Sequence, residues 1–182
     1  MNAHTKDIVL MVGGLALAAS IGLNVRLYRE RSNAVTPGLR PGAAVSPFSA
    51  KNVADGRTET VAFDRSRPTA FYVFSSTCPW CARNVDNVRA LARQGEDKYR
   101  FVGLSLSDEA AAATALPFPV YGGLGADTRK AYKLGPIPQM IVVAPDGRVL
   151  KTWTGAFSGA VEREIEGYFG VELPGVAAPA AS

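Results

Sequence analysis

Cysteine and histidine are scarce in this chain, with two Cys and one His among 182 residues. A structural zinc site takes four ligands. An intrachain one is out of reach, because His4 lies on the far side of an apolar run from Cys78 and Cys81; only a site shared between two chains is left. Covalent haem attachment wants a His after the second cysteine, and Ala82 stands there. A cysteine-hydrolase nucleophile wants a histidine base, which His4 cannot supply. Charge of one sign is also in short supply. Twenty Lys/Arg against sixteen Asp/Glu give +4, split as +2 over residues 1–33 and +2 over 34–182. With no basic stripe interleaved with aromatics, nucleic-acid binding has no support. Gly122, Gly123 and Gly125 are not followed by Gly-Lys-Ser/Thr, so no phosphate loop is present. There are no internal repeats.

One long hydrophobic run does occur. Residues 8–25 read IVLMVGGLALAASIGLNV, without a charge. As a helix they would span about 27 Å, near the thickness of a bilayer core. Two expectations follow: an uncleaved signal anchor, or a signal peptide cut after Ala16–Ala18. Continuation of the run to Val25 favours the anchor. Lys6 before the run and Arg26, Arg29 and Arg31 after it oppose an outward-facing C-terminal domain under the positive-inside rule. The expected organisation is an anchor or signal peptide over 1–31, a Pro/Gly/Ala-rich linker over 32–47, one α/β domain over 48–170 and a flexible tail over 171–182.

The core alternates strand and helix patterns. A short strand is expected at 58–63 after an Ala-Asp-Gly turn. TAFYVFS (69–75) and YRFVGLSL (99–106) suit strands buried on both faces. CARNVDNVRALAR (81–93) places Val85, Val88, Leu91 and Ala92 on one helical face. An Ala-rich helix is expected at 108–115, a loop or short strand in PFPVYGG, and a short helix at 127–134. A strand at 140–144 and its return at 148–154 flank the turn residues Pro145, Asp146 and Gly147. A closing helix at 158–169 has Ser158 as its expected N-cap.

Both cysteines fall in one short stretch, SSTCPWCARN, with Pro79 and Trp80 between them. Cys78 follows a buried strand and opens a helix. Unpaired amide N–H groups and the helix dipole stabilise a thiolate there, lowering the thiol pKa. Cys81 lies one turn on, within disulfide reach of Cys78, and is placed to resolve mixed disulfides. Pro79 fits a first helical turn. Trp80 covers the pair and offers substrate an apolar contact. A two-residue loop removes little unfolded-chain entropy when closed, so a purely structural disulfide is disfavoured against redox chemistry.

The second element is GPIPQM, residues 135–140. A strand leading into Cys-Pro-Trp-Cys on a helix, followed by strand, helix and an Ile-Pro dipeptide opening a hairpin, resembles the thioredoxin fold. Together with the apolar N-terminal run and linker, it is most similar to the membrane-anchored TlpA/ResA-like thiol:disulfide oxidoreductases, over roughly residues 41–169. The resemblance implies a central mixed β-sheet flanked by helices, preceded by an N-terminal transmembrane helix. It implies a cis Pro138 packed against the redox pair, and an Ile137 whose backbone meets an extended substrate. The chain departs from the family pattern at three places: Tyr72 where thioredoxins carry a buried Asp, Asn84 where many anchored members carry a Glu, and Thr77 where a Trp is usual.

The expected function is a membrane-anchored thiol:disulfide oxidoreductase. Cys78 and Cys81 are the expected catalytic residues, and Pro79, Trp80, Ile137 and Pro138 the expected substrate-binding ones. No metal or organic cofactor is implied. Protein thiols or disulfides are the expected substrates and a membrane thiol carrier the electron partner, with the redox domain in the periplasm beside the inner membrane. Two rivals stand beside it. Ser75-x-x-Cys78 is similar to the Thr/Ser-x-x-Cys element of peroxiredoxins, although Phe71 replaces the upstream proline. A non-enzymatic thioredoxin-fold docking module would use the disulfide only as a latch.

Overall fold

The computed structural model describes residues 13–14, 17, 19–24, 38–107 and 116–176. Its chain divides into two units, Met1–Pro37 and Gly38–Ser182. The second unit runs β1 (Phe48–Asn52), β2 (Thr58–Val61), β3 (Thr69–Phe74), α1 (Pro79–Arg83), α2 (Val85–Gly95), β4 (Arg100–Ser105), β5 (Val120–Gly122), α3 (Ala126–Ala131), β6 (Gln139–Val143), β7 (Val149–Thr154) and α4 (Ala160–Phe169).

The seven strands form one mixed sheet in the order β2-β1-β5-β4-β3-β6-β7. β3, β4 and β5 run parallel, while β1, β6 and β7 pair antiparallel with their neighbours. β3 sits inside the sheet, between β4 and β6, and all six of its side chains are buried. This is why its sequence is a continuous apolar run rather than an alternation. Successive residues still point to opposite faces. Ala70, Tyr72 and Phe74 join Met140 and Val142 in a core with Cys81, Val88, Leu91, Ile165 and Phe169 from the helices. Phe71 and Val73 join Ile141 and Val143 in a second core with Phe48, Val61, Leu124 and Tyr132.

The helix expected over residues 81–93 is two helices, with Asn84 as the C-cap of α1 and the N-cap of α2. The closing helix is capped by Gly159 at a positive φ, not by Ser158, and no side chain caps it. The Ala-rich helix expected at 108–115 lies outside the described residues. Residues 38–47, part of the stretch read as linker, lie along β7. Leu39 and Val45 are buried, Gly42 N–H donates to Val149 O (2.8 Å), and Val45 N–H donates to Gly147 O (2.9 Å). Gly147 closes the β6–β7 turn at φ +84°, and a Cβ there would stand 2.6 Å from Val45 O.

The expectation of a single-pass inner-membrane protein needs correction. Among the described residues, no helix is long and apolar enough to cross a membrane. Spanning a bilayer core takes about 20 helical residues. Within 8–25, the longest unbroken described helical stretch is 19–24, and the rest of that run is only partly described.

Candidate active site

β3 ends at Phe74, and a short turn carries the chain to Cys78. Cys78 N–H donates to Ser75 O (3.2 Å), and Ser76 N–H donates to the Ser107 hydroxyl (3.1 Å) beyond β4. The ends of two parallel strands thus hold the turn that presents the first cysteine. Cys78 is the N-cap of α1 in extended conformation, and its sulfur accepts from Cys81 N–H at 3.1 Å. Pro79 occupies the first helical turn, where a missing N–H leaves no bond unmade.

Cys78 and Cys81 are joined as a disulfide with Cα atoms 5.2 Å apart. Their environments differ. Cys78 is partly exposed, whereas Cys81 is 3% exposed within the helix-side core. The accessible sulfur therefore has a backbone donor facing it, and the other is out of reach of a bulky partner. When the disulfide opens, a charge-assisted N–H···S bond and the helix terminus favour Cys78 as thiolate.

A cleft of about 280 Å³ is lined by Trp80, Ile137, Pro138, Gly155, Ala156 and Ser158. Trp80 is 50% exposed, and the Arg83 guanidinium lies 4.5 Å from its ring centroid, a cation–π contact that orients the indole. The Ile137–Pro138 bond is cis. The structure thus gathers Trp80, Ile137 and Pro138 on one cleft, while the Pro79 side chain is exposed and absent from its lining. Ala156 and Ser158 also line it without any signal in their local sequence. They reach it because Gly155 N–H donates to Pro138 O (2.8 Å), tying the chain after β7 to the start of β6.

Behind the disulfide lies a polar group that residue types alone do not reveal. Asn84 and Asn87 are fully buried. Asn84 Oδ1 accepts from Phe157 N–H (3.1 Å) and from Asn87 Nδ2 (3.2 Å), and Asn87 Nδ2 also donates to Phe157 O (3.0 Å). Tyr72 faces the same core, its ring 6.1 Å from that of Phe157. Among the described residues, no group of three or more His, Cys, Asp or Glu could hold a metal ion.

No protein-family model matches the sequence, and no curated protein does. Solved structures do. The thioredoxin domain of a thiol-disulfide oxidoreductase from Bacteroides vulgatus is similar at 14% identity and TM-score 0.57, over 72% of this chain and 99% of that one. StoA from Bacillus subtilis is similar at 19% identity and TM-score 0.53, over 68% and 97%. A secreted Mycobacterium tuberculosis disulfide oxidoreductase, described as homologous to E. coli DsbE, is similar at 16% identity and TM-score 0.55, over 68% and 94%. These likenesses show a thioredoxin-like fold.

Proposed function

We propose that this protein is a thiol:disulfide oxidoreductase acting on protein thiols and disulfides through Cys78 and Cys81. The observation that carries the reading is the asymmetry of the pair: a partly exposed sulfur facing a backbone N–H at a helix start, beside an open cleft, with its buried partner one turn on. The fold shared with thiol-disulfide oxidoreductases supports it.

In the reducing direction, the Cys78 thiolate attacks a substrate disulfide. A Cys78–substrate disulfide forms and one substrate thiolate leaves. Cys81 gives up its proton and attacks the Cys78 sulfur, closing the Cys78–Cys81 disulfide and releasing the second substrate thiolate. The protons lost by the two cysteines end on the two substrate thiols, so two electrons and two protons have moved together. The reverse sequence oxidises a substrate. Trp80, Ile137 and Pro138 form the surface on which the substrate chain rests, with Pro79 limiting the conformations of the two-residue loop. A thiol-bearing carrier protein returns the pair to its starting state.

Full-chain Cys81→Ser tests this reading. Incubated with an oxidised protein substrate, it should accumulate a stable mixed disulfide through Cys78, detected as a mass adduct lost on reduction. Cys78→Ser should form at least tenfold less. Equal trapping by both variants, or by neither, contradicts the assignment.

A further inference from the structure

The route from β3 to Cys78 is held by three consecutive amides, and only one of them bonds outside the turn. Thr77 N–H donates to the Ser75 hydroxyl (3.3 Å), and Cys78 N–H donates to Ser75 O (3.2 Å). Ser76 N–H donates instead to the Ser107 hydroxyl (3.1 Å), 31 residues on. The strand pairing explains why a side chain is used there. The last parallel pair of β3 and β4 is Phe74 with Ser105, and Leu106 N–H still donates to Phe74 O (2.8 Å). Past that pair the Ser107 side chain supplies the acceptor that a further ladder carbonyl would have given.

The hydroxyl protons around Ser107 follow by elimination. Ser105 Oγ–H donates to Ser107 O (2.7 Å), which uses the only proton that hydroxyl has. The contact between the Ser105 and Ser107 hydroxyls (3.2 Å) therefore runs from Ser107 to Ser105. Ser107 N–H also donates to Ser105 Oγ (3.3 Å). Ser107 Oγ is left with its lone pairs, which accept from Ser76 N–H and from the Ser76 hydroxyl (3.0 Å). Ser105 is buried, so the group that orients the Ser107 oxygen toward the turn is sheltered from water.

Cys78 depends on this turn. Its sulfur meets Cys81 N–H at 3.1 Å with the Cys78 backbone extended at the mouth of α1. The position of the sulfur follows from that backbone, and the backbone follows from the turn. The bonds to Ser75 give the turn its shape, and the bond to Ser107 ties it to the next strand. We infer that Ser107 is a positioning residue for Cys78. By holding Ser76 N–H, its hydroxyl keeps the turn in the geometry that gives the Cys78 thiolate its Cys81 N–H, and so raises the share of Cys78 that is thiolate near neutral pH. Ser107 acts through the turn and not on the sulfur itself. This deepens the thiol:disulfide reading of the site and rests on it.

The test is the pH profile of Cys78 alkylation by iodoacetamide in the reduced full chain, with the adduct placed on Cys78 by fragment masses. Ser107→Ala leaves Ser76 N–H without this acceptor. The midpoint should rise by about half a pH unit or more, so the rate below the midpoint falls at least about threefold while the plateau at high pH is kept. Ser107→Thr keeps a hydroxyl oxygen at the same place and should restore the unaltered midpoint. Ser105→Ala removes the acceptor that orients the Ser107 hydroxyl and is a second route should Ser107→Ala fail to fold; its rate below the midpoint should fall about twofold. A purely structural Ser107 would lower Tm and leave the midpoint in place. An unchanged midpoint in Ser107→Ala, an equal rise in Ser107→Thr, or, where Ser107→Ala does not fold, an unchanged midpoint in Ser105→Ala overturns the inference. If that happens while the unaltered protein titrates well below the ordinary thiol value of about 8.5, only this inference falls. If the unaltered midpoint is itself about 8.5, Cys78 is not an activated thiol and the redox reading falls with it.

Discussion

Cys78 and Cys81 have the same side chain and opposite surroundings, and those surroundings set their roles. The N-cap position of Cys78 and its N–H···S contact could be expected from a cysteine placed between a strand and a helix, because both effects are local. The cis bond at Pro138 was implied by the resemblance to the thioredoxin fold, through the Ile-Pro dipeptide that opens the hairpin, and the bond is cis. Asn84, Asn87 and Ser158 were legible in neither way. The contacts of Asn84 and Asn87 with Phe157 span 73 and 70 residues, and no periodicity within a helix encodes them. Asn84 has a stability role. Asn84→Ala would leave the buried Phe157 N–H without an acceptor and Asn87 with one partner fewer. It should destabilise the protein by about 2–3 kcal/mol. A denaturant titration of the oxidised protein checks this: the midpoint should fall with the slope unchanged.

Strands and helices were placed by pattern with few errors, and the errors have identifiable causes. β1 lies just past the 32–47 linker, in residues where pattern named no element; it is a strand because β2 and β5 pair with it on either side. The break at Asn84 escaped periodicity because α1 and α2 continue each other in sequence, and only the buried amide marks the join. The turn between β6 and β7 was legible from Pro145, Asp146 and Gly147, but its docking partner was not. Residues 42–45 pair with its far side, and Gly147 is where the two backbones approach. Gly147→Ala would place a Cβ in a left-handed conformation and 2.6 Å from Val45 O. Stability should fall by about 2 kcal/mol or more. Thermal unfolding checks this: Tm should drop by several degrees while Cys78 alkylation in the reduced protein keeps its rate, since the turn lies away from the pair.

At the scale of the molecule, the sheet organises everything else. Its two faces carry separate cores, and β3, central and buried on both, delivers Cys78 at its C-terminal end beside the loop after β4. The same strand turns Tyr72 toward the helices and Phe71 toward the opposite core, so one run of six residues supports both layers and the site. The alternation of elements anticipated an α/β domain, and the mixed sheet was what the resemblance to the thioredoxin fold implied. The spanning helix was anticipated from hydropathy alone, and the described residues hold none. The central claim is that Cys78 and Cys81 form a reversible two-electron couple. Equilibration of the full chain over a series of glutathione ratios, with free thiols alkylated and counted by mass, tests it most directly. The account predicts a single transition in which both thiols appear together, at a potential between roughly −120 and −270 mV, the span of thioredoxin-fold couples. A pair that stays fully oxidised or fully reduced across that range, or whose thiols appear independently, would contradict it.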